Sequence, residues 1–194
     1  CHGDRLVPAS PTRRAGSHSV TAMSLPAFLS KDRSLVIHAA EGLEAYLLSS
    51  ELYGPPSYGG GLDLASRLTV GTLLLSLERL KSLGSEIDRP LDTARESVQQ
   101  TMTAWRVHWQ QKARRELEAR LSLWSEFLDA WLAGPSNRLA AYAVGVRNRA
   151  ILHLLMQNAG TIAQAHSDWL SGCDRRLRAA TLDGEFVWEN ELAA

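Results

Sequence analysis

Histidine side chains are the first groups in this 194-residue chain that could do chemistry. Imidazole nitrogens on facing helices can hold a transition metal together with carboxylates. Four histidines fall in four different predicted helices: His38, His108, His153 and His166. The sequence contains no Glu-x-x-His, His-x-x-x-His or Cys-x-x-Cys pair, which are spacings that metal sites use. We therefore expect no metal and no cofactor, and keep a bundle that binds a metal or an apolar ligand as an alternative function.

The segment RNRAILH supplies a second group of candidates, which are Arg147, Asn148 and His153. Their order and spacing resemble the signature of HEPN domains, small helical bundles that often dimerise and cleave RNA. The resemblance covers seven residues of 194. It implies that Arg147 binds phosphate and stabilises transition-state charge, with support from Asn148, and that His153 serves in cleavage driven by the 2′-hydroxyl. Residues six apart on a helix point about 120° apart, so one continuous helix does not present Arg147 and His153 on one face.

Tryptophan is abundant, and four of the six tryptophans follow a single stripe of one long predicted helix: Trp105, Trp109, Trp124 and Trp131. Such a stripe has three interpretations. The first is ordinary packing in the core. The second is a dimer interface, since tryptophan is enriched in binding hot spots, and the third is a pocket for an apolar ligand. These four residues are the candidate interface or pocket residues of the sequence.

A highly charged segment, QQKARRELEAR, separates the two pairs of tryptophans. It contains three pairs of opposite charges that are four residues apart: Lys112 with Glu116, Arg114 with Glu118, and Glu116 with Arg120. Residues at this spacing are neighbours on a helix surface. The pattern therefore predicts a solvated helix face with salt bridges along it.

The elements that must position these residues are helices. Glycine and proline clusters separate five segments with helical periodicity, at about residues 31–52, 63–83, 88–131, 137–157 and 162–180. In the third segment the apolar spacing stays helical throughout, which predicts one long helix. A bend or break near Gln110 to Arg115 is the alternative, and it would fold both halves into one compact bundle.

The predicted fold is all-α, a bundle of five up-down helices around one long central helix, without a sheet. We expect the first two helices to cover the first half of the long helix and the last two to cover its second half. The second helix, with LTVGTLLLSLERL, is apolar on more than one face and is expected to be central. The short connections GPSN and NAGT predict antiparallel neighbours, which places His153 level with Asp168.

Composition limits the location and the partners. Lys and Arg number 21, and Asp and Glu also number 21, so the formal charge is zero and nucleic acid is not the expected partner. No run reaches the 18 apolar residues of a membrane span. With only two cysteines the chain has no disulfide framework, and we expect a cytoplasmic protein.

The predicted organisation is a single helical domain over residues 23–194, preceded by a disordered or non-native extension over residues 1–22. The last residues carry no cap or turn signal, so a domain that is truncated at its C-terminus is an open alternative. We expect a non-catalytic interaction or self-association module, a homodimer or the binder of a protein partner. The HEPN-like ribonuclease and the metal- or apolar-ligand-binding bundle are the alternatives.

Overall fold

The computed structural model describes residues 27–54, 67–81, 89–134, 138–162 and 164–181. These residues form six helices and no β-strand, which confirms the all-α fold class. The helices are α1 (Ala27–Leu48), α2 (Val70–Lys81), α3 (Arg89–Ala104), α4 (Arg106–Ala133), α5 (Arg138–Asn158) and α6 (Gln164–Ala179). The predicted extension over residues 1–22 lies outside the described residues.

The predicted long helix is two helices, α3 and α4, which meet at Trp105. The Trp105 backbone has φ −107° and ψ 33°, away from helical values. Hydrogen bonds of 2.9 Å still run from the Trp105 nitrogen to the Thr101 oxygen and from the Trp109 nitrogen to the Trp105 oxygen. The break is therefore local and lies before the segment where we placed the alternative bend. The two halves then pack on different partners, α3 chiefly on α1 and α4 chiefly on α5.

Helix α2 is the central helix of the structure. Eight of its 12 residues are buried, and it packs against α1, α4 and α5. The sequence predicted this central position. It did not predict the main partners of α2, because we expected α2 to pack on the first half of the predicted long helix, which is α3 in the structure. An apolar helix without a polar face needs neighbours on several sides, and α3 alone could not supply them.

Two threonines determine where α2 begins. The Thr72 backbone nitrogen donates to Thr69 Oγ1 at 3.1 Å, and the Thr69 nitrogen donates to Thr72 Oγ1 at 2.9 Å. This reciprocal pair satisfies two donors that the first turn of a helix leaves without partners. The described helix therefore starts at Val70, later than the sequence pattern placed it.

Helices α4 and α5 approach closely because Gly145 lies between them. A Cβ atom at this position would lie 2.5 Å from Cζ of Phe127, much closer than real contacts allow. Helix α6 is joined to α5 by a two-pronged salt bridge, in which Arg149 Nε and Nη2 donate to the two Asp174 carboxylate oxygens at 2.8 and 2.7 Å. None of the described helices combines the length and the hydropathy that crossing a membrane would require.

Candidate binding cleft and the buried polar network beneath it

A cleft of about 290 Å³ opens between α4 and α5. Most of its wall is apolar and comes from Tyr53, Leu123, Phe127, Val144, Gly145 and Ile151. Its polar wall consists of Thr72, Arg120, Arg147 and Asn148. The volume is at the lower end of the range of ligand pockets, and an apolar wall with a few polar groups is their usual composition. We name this feature the α4–α5 cleft.

Two aliphatic side chains of the cleft face solvent. Leu123 on α4 is 49% exposed and Val144 on α5 is 70% exposed. Isolated exposed aliphatic residues are ordinary on protein surfaces. Here both belong to the wall of one concave, mostly apolar feature. The exposed apolar area is therefore organised around a space that can receive another group.

Arg120 is held in place in the polar wall. Its Nε donates to Glu116 Oε1 at 2.6 Å, and its Nη1 donates to Asn148 Oδ1 at 2.9 Å. Asn148 in turn donates from Nδ2 to the Arg120 carbonyl oxygen at 3.2 Å. The Arg120 guanidinium therefore has a defined orientation beside the cleft, because it is bound both to Glu116 on its own helix and to Asn148 on α5.

Glu116 lies beneath Arg120 and is only 2% exposed. Its carboxylate accepts a hydrogen bond from Thr69 Oγ1 at 2.7 Å and another from the Gly71 backbone nitrogen at 2.8 Å. These donors belong to the first turn of α2, where the helix dipole favours negative charge. The Glu116 charge is thus compensated by a helix N-terminus and by a guanidinium, which a buried carboxylate requires.

Lys112 is the second buried charge on α4, and it is 3% exposed. Its ammonium group donates to Ser49 Oγ at 3.1 Å and to the Glu51 carbonyl oxygen, and it lies 4.5 Å from the centre of the Tyr46 ring. Burial, with the charge of Arg115 second, lowers the pKa of the Lys112 ammonium group. Lys112 therefore connects α4 to the chain that follows α1.

The prediction of a solvated face is wrong for Lys112 and Glu116, both of which are buried. The predicted pair of Glu116 with Arg120 is confirmed at 2.6 Å. Sequence reasoning treated the charge pattern as sufficient and missed the buried network. The sequence held no signal that could have found it, because Arg114 and Glu118 flank the same apolar positions, Ala113 and Leu117, and are exposed.

The four candidate tryptophans occupy two different environments. Trp109 and Trp124 are buried, and Trp109 Nε1 donates to Asn158 Oδ1 at 3.3 Å. Trp105 and Trp131 are half-buried. Trp109 and Trp124 are therefore packed in the core, and an interface role for Trp105 and Trp131 stays a prediction.

An aromatic row connects the tryptophan stripe to the cleft. Trp124 stacks on Phe127 at 5.2 Å, Phe127 lies 5.8 Å from Trp131, and Trp131 lies 5.2 Å from Tyr142, all measured between ring centres. Only Phe127 of this row lines the cleft. The tryptophans thus support the wall of the cleft from behind.

The HEPN-like residues separate in the structure. Arg147 and Asn148 line the cleft, whereas His153 is exposed and its Nε2 lies 3.0 Å from Gln157 Nε2. The predicted neighbour of His153, Asp168, accepts a hydrogen bond from Gln164 on its own helix at 3.0 Å. The structure therefore brings together two residues of the motif and leaves its histidine outside the cleft, and RNA cleavage stays an untested hypothesis.

A metal site needs several ligands that lie together, and a reactive cysteine needs a lowered thiol pKa. Within the described ranges no three His, Cys, Asp or Glu side chains are grouped so that they could hold a metal ion. Cys173 is buried, and this burial raises the pKa of its thiol. The α4–α5 cleft is accordingly the candidate functional site.

Comparisons of the chain with known protein families, with curated proteins and with solved structures give no match. Function is therefore inferred from the geometry of the cleft.

Proposed function

We propose that this chain is a non-catalytic interaction module that receives an apolar side chain of a protein partner in the α4–α5 cleft. The observation that carries the proposal is the position of Leu123 and Val144, two exposed aliphatic side chains on opposite helices of one apolar concavity. A partner side chain inserted between them would remove their apolar surface from water and fill the cleft, as anchor residues of interfaces do.

The polar groups of the cleft favour binding over catalysis. Thr72 Oγ1 is engaged in the cap of α2, where it accepts from the Thr69 nitrogen and donates to the Arg67 carbonyl oxygen at 3.0 Å. Asn148 is engaged with Arg120. Groups that are committed to structural hydrogen bonds hold a surface in shape, whereas a catalytic nucleophile needs an adjacent base.

The partner is either a second copy of the chain or another protein, and the homodimer expected from the sequence is the first form to test. Self-association would place the exposed aliphatic residues of each copy in the shared interface. A different partner would leave the purified chain monomeric. Sedimentation velocity of the full chain over a wide concentration range separates these two forms.

The decisive variant is Val144→Asp, which places a charge in the apolar wall. The matched control is Val107→Asp, because Val107 is a valine of similar exposure, 63% against 70% for Val144, and is not part of the cleft wall. If the wild-type chain self-associates, we expect Val144→Asp to abolish the self-association. If the wild-type chain is monomeric, peptides are selected on it from a displayed library of random 12-residue sequences, and Val144→Asp should abolish their binding. Val107→Asp should preserve both. The proposal would be refuted if neither self-association nor peptide binding were lost in Val144→Asp and kept in Val107→Asp.

A further inference from the structure

We infer that Tyr53 is a binding residue of the α4–α5 cleft, and that Lys112 holds Tyr53 in place from outside the cleft through the backbone of residues 49–54. The inference rests on the proposed function, because it assigns roles to two residues in binding at the same cleft. It follows from the chain segment after α1, whereas the proposed function follows from the exposed aliphatic residues of α4 and α5.

Tyr53 belongs to the cleft wall although it lies outside the described helices. It is part of the segment that follows α1, and it is 38% exposed, so a partner can reach it. A tyrosine offers a large apolar ring with a polar tip, and it loses little conformational freedom on binding. Tyrosine is accordingly enriched among the residues that dominate binding energy. Tyr53 is thus suited to contact the apolar side chain that enters the cleft.

The backbone is held on each side of Tyr53. The Leu52 carbonyl oxygen accepts a hydrogen bond from the Tyr46 hydroxyl at 2.8 Å. The Gly54 nitrogen donates to the Leu68 carbonyl oxygen, also at 2.8 Å. A segment that is already ordered does not have to be ordered when a partner binds, which would cost free energy. The position of Tyr53 therefore depends on the bonds that hold its neighbours.

Lys112 holds the residues immediately before these neighbours. Its ammonium group donates to Ser49 Oγ at 3.1 Å and to the Glu51 carbonyl oxygen. Arg115, three residues further on α4, donates from Nη1 to the Ser50 carbonyl oxygen at 2.9 Å. These groups follow the C-terminal end of α1, where the helix dipole favours a cation. Lys112 is buried and binds two residues of the segment, whereas Arg115 is exposed and binds one, so Lys112 is the main anchor.

The test is a double-mutant cycle between Tyr53→Ala and Lys112→Met in the full chain. Its readout is the affinity of the association that Val144→Asp abolishes, which is the binding of peptides selected on the wild type or, if the chain self-associates, its dimerisation. Tyr53→Ala should weaken this association by at least about tenfold, as the loss of a dominant binding residue does.

Lys112→Met keeps most of the side-chain length but removes the hydrogen-bond donors. It should weaken the same association by about fivefold, because the segment must then be ordered on binding. In the Tyr53→Ala background Lys112→Met should have no measurable effect on affinity, because the side chain that Lys112 positions is already missing. A purely structural role of Lys112 would lower stability in both backgrounds without this dependence on Tyr53.

Matched controls separate these roles from a general loss of stability. Trp169→Ala removes an aromatic side chain of similar exposure, 40%, that is not part of the cleft wall, and should leave the association unchanged. Val98→Ala shortens a buried residue of α3 outside the cleft wall, and should lower the free energy of unfolding but not the affinity. Circular dichroism spectra and melting temperatures show which variants are folded. If Lys112→Met does not fold, Ser49→Ala takes its place in the cycle, because Ser49 is exposed and its hydroxyl is bound by Lys112.

Each outcome decides between the two proposals. An unchanged affinity in Tyr53→Ala would overturn this inference and leave the proposed function in place, since that function depends on Val144. An effect of Lys112→Met that is equally large with and without Tyr53, or no effect at all, would overturn the positioning by Lys112. Absence of any association that depends on Val144 would overturn the proposed function and this inference with it.

Discussion

The carboxylate of Glu116 on α4 and the backbone nitrogen of Gly71 in the first turn of α2 form a hydrogen bond of 2.8 Å in the interior of the protein. The bond requires an approach that only glycine permits. A Cβ atom at position 71 would lie 2.6 Å from Glu116 Oε1, and even closer to Cγ2 of Ile151 on α5. One small residue therefore lets three helices meet at the floor beneath the α4–α5 cleft.

Gly71→Ala should lower the free energy of unfolding by about 1–3 kcal/mol, because the added methyl group overpacks a site with no space for it. Urea denaturation measures this change. Gly42→Ala is the matched control, since no heavy atom lies within 4 Å of its added Cβ and the residue lies inside α1. At that exposed position alanine should raise stability by about 0.5–1 kcal/mol. Equal effects of the two substitutions would contradict the close approach.

Glu116→Gln should destabilise the fold by about 3 kcal/mol, because Arg120 loses its ion pair and the first turn of α2 loses its anionic partner. Chemical denaturation with a circular dichroism signal gives the value. Glu118→Gln alters an exposed glutamate two residues further along the same helix and should change stability by less than about 0.5 kcal/mol. A neutral effect of Glu116→Gln would show that the carboxylate is not needed at this position.

Trp124→Ala should destabilise the monomer by about 3–5 kcal/mol, because its side chain is 0% exposed and stacks on Phe127. Thermal unfolding and sedimentation of the same sample distinguish this result from a change of oligomeric mass alone. Trp169→Ala serves as control, since Trp169 is 40% exposed on α6. A loss of association without a loss of monomer stability would place Trp124 at an interface.

Tyr46 should make stability fall at high pH. Burial first, and the charge of Glu116 second, raise the pKa of Tyr46 above its ordinary value of 10.0. The folded state therefore holds the phenol proton more tightly than the unfolded chain, so the contribution of Tyr46 is complete below pH 10 and is lost as the pH rises through the folded pKa.

The measurement is the free energy of unfolding between pH 8 and pH 11 for wild type and Tyr46→Phe. The variant should be less stable by about 1 kcal/mol at pH 8, where it lacks the 2.8 Å hydrogen bond from Tyr46 to the Leu52 carbonyl oxygen. The difference should shrink above pH 10. Lys112 is present in both proteins, so its own titration enters both curves. A difference that is independent of pH would contradict the prediction.

His153→Ala should leave cleft binding unchanged, because His153 is exposed and its nearest polar partner is Gln157 on its own helix. The HEPN-like alternative requires a different result, in which Arg147→Ala and His153→Ala both abolish RNA cleavage by a folded protein. Incubation of labelled single-stranded RNA with wild type and both variants decides between the two hypotheses.

Local signals in the sequence were enough to predict the all-α class and the central position of α2. Clusters of glycine and proline favour turns between helices, and helical periodicity needs only neighbouring residues. An apolar helix without a polar face must be covered on several sides. These conclusions depend on short segments, so tertiary contacts did not alter them.

The break at Trp105 and the burial of Lys112 and Glu116 were decided only by tertiary structure. A charge pattern with a spacing of four is the same on a solvated face and on a buried one, and the choice depends on whether donors from other helices reach it. Glu116 accepts from Thr69 and Gly71, and Lys112 donates to Ser49 and to the Glu51 carbonyl oxygen. All four partners lie more than 40 residues away along the chain.

The cleft is the clearest product of the tertiary structure. Its wall combines Tyr53 and Thr72 with residues of α4 and α5 that are far apart in sequence. The sequence by itself determined that Arg147 and His153 point about 120° apart on one helix. Only packing decided that the Arg147 side faces a concavity and the His153 side faces water, because the position of a neighbouring helix is not encoded within the helix that it covers.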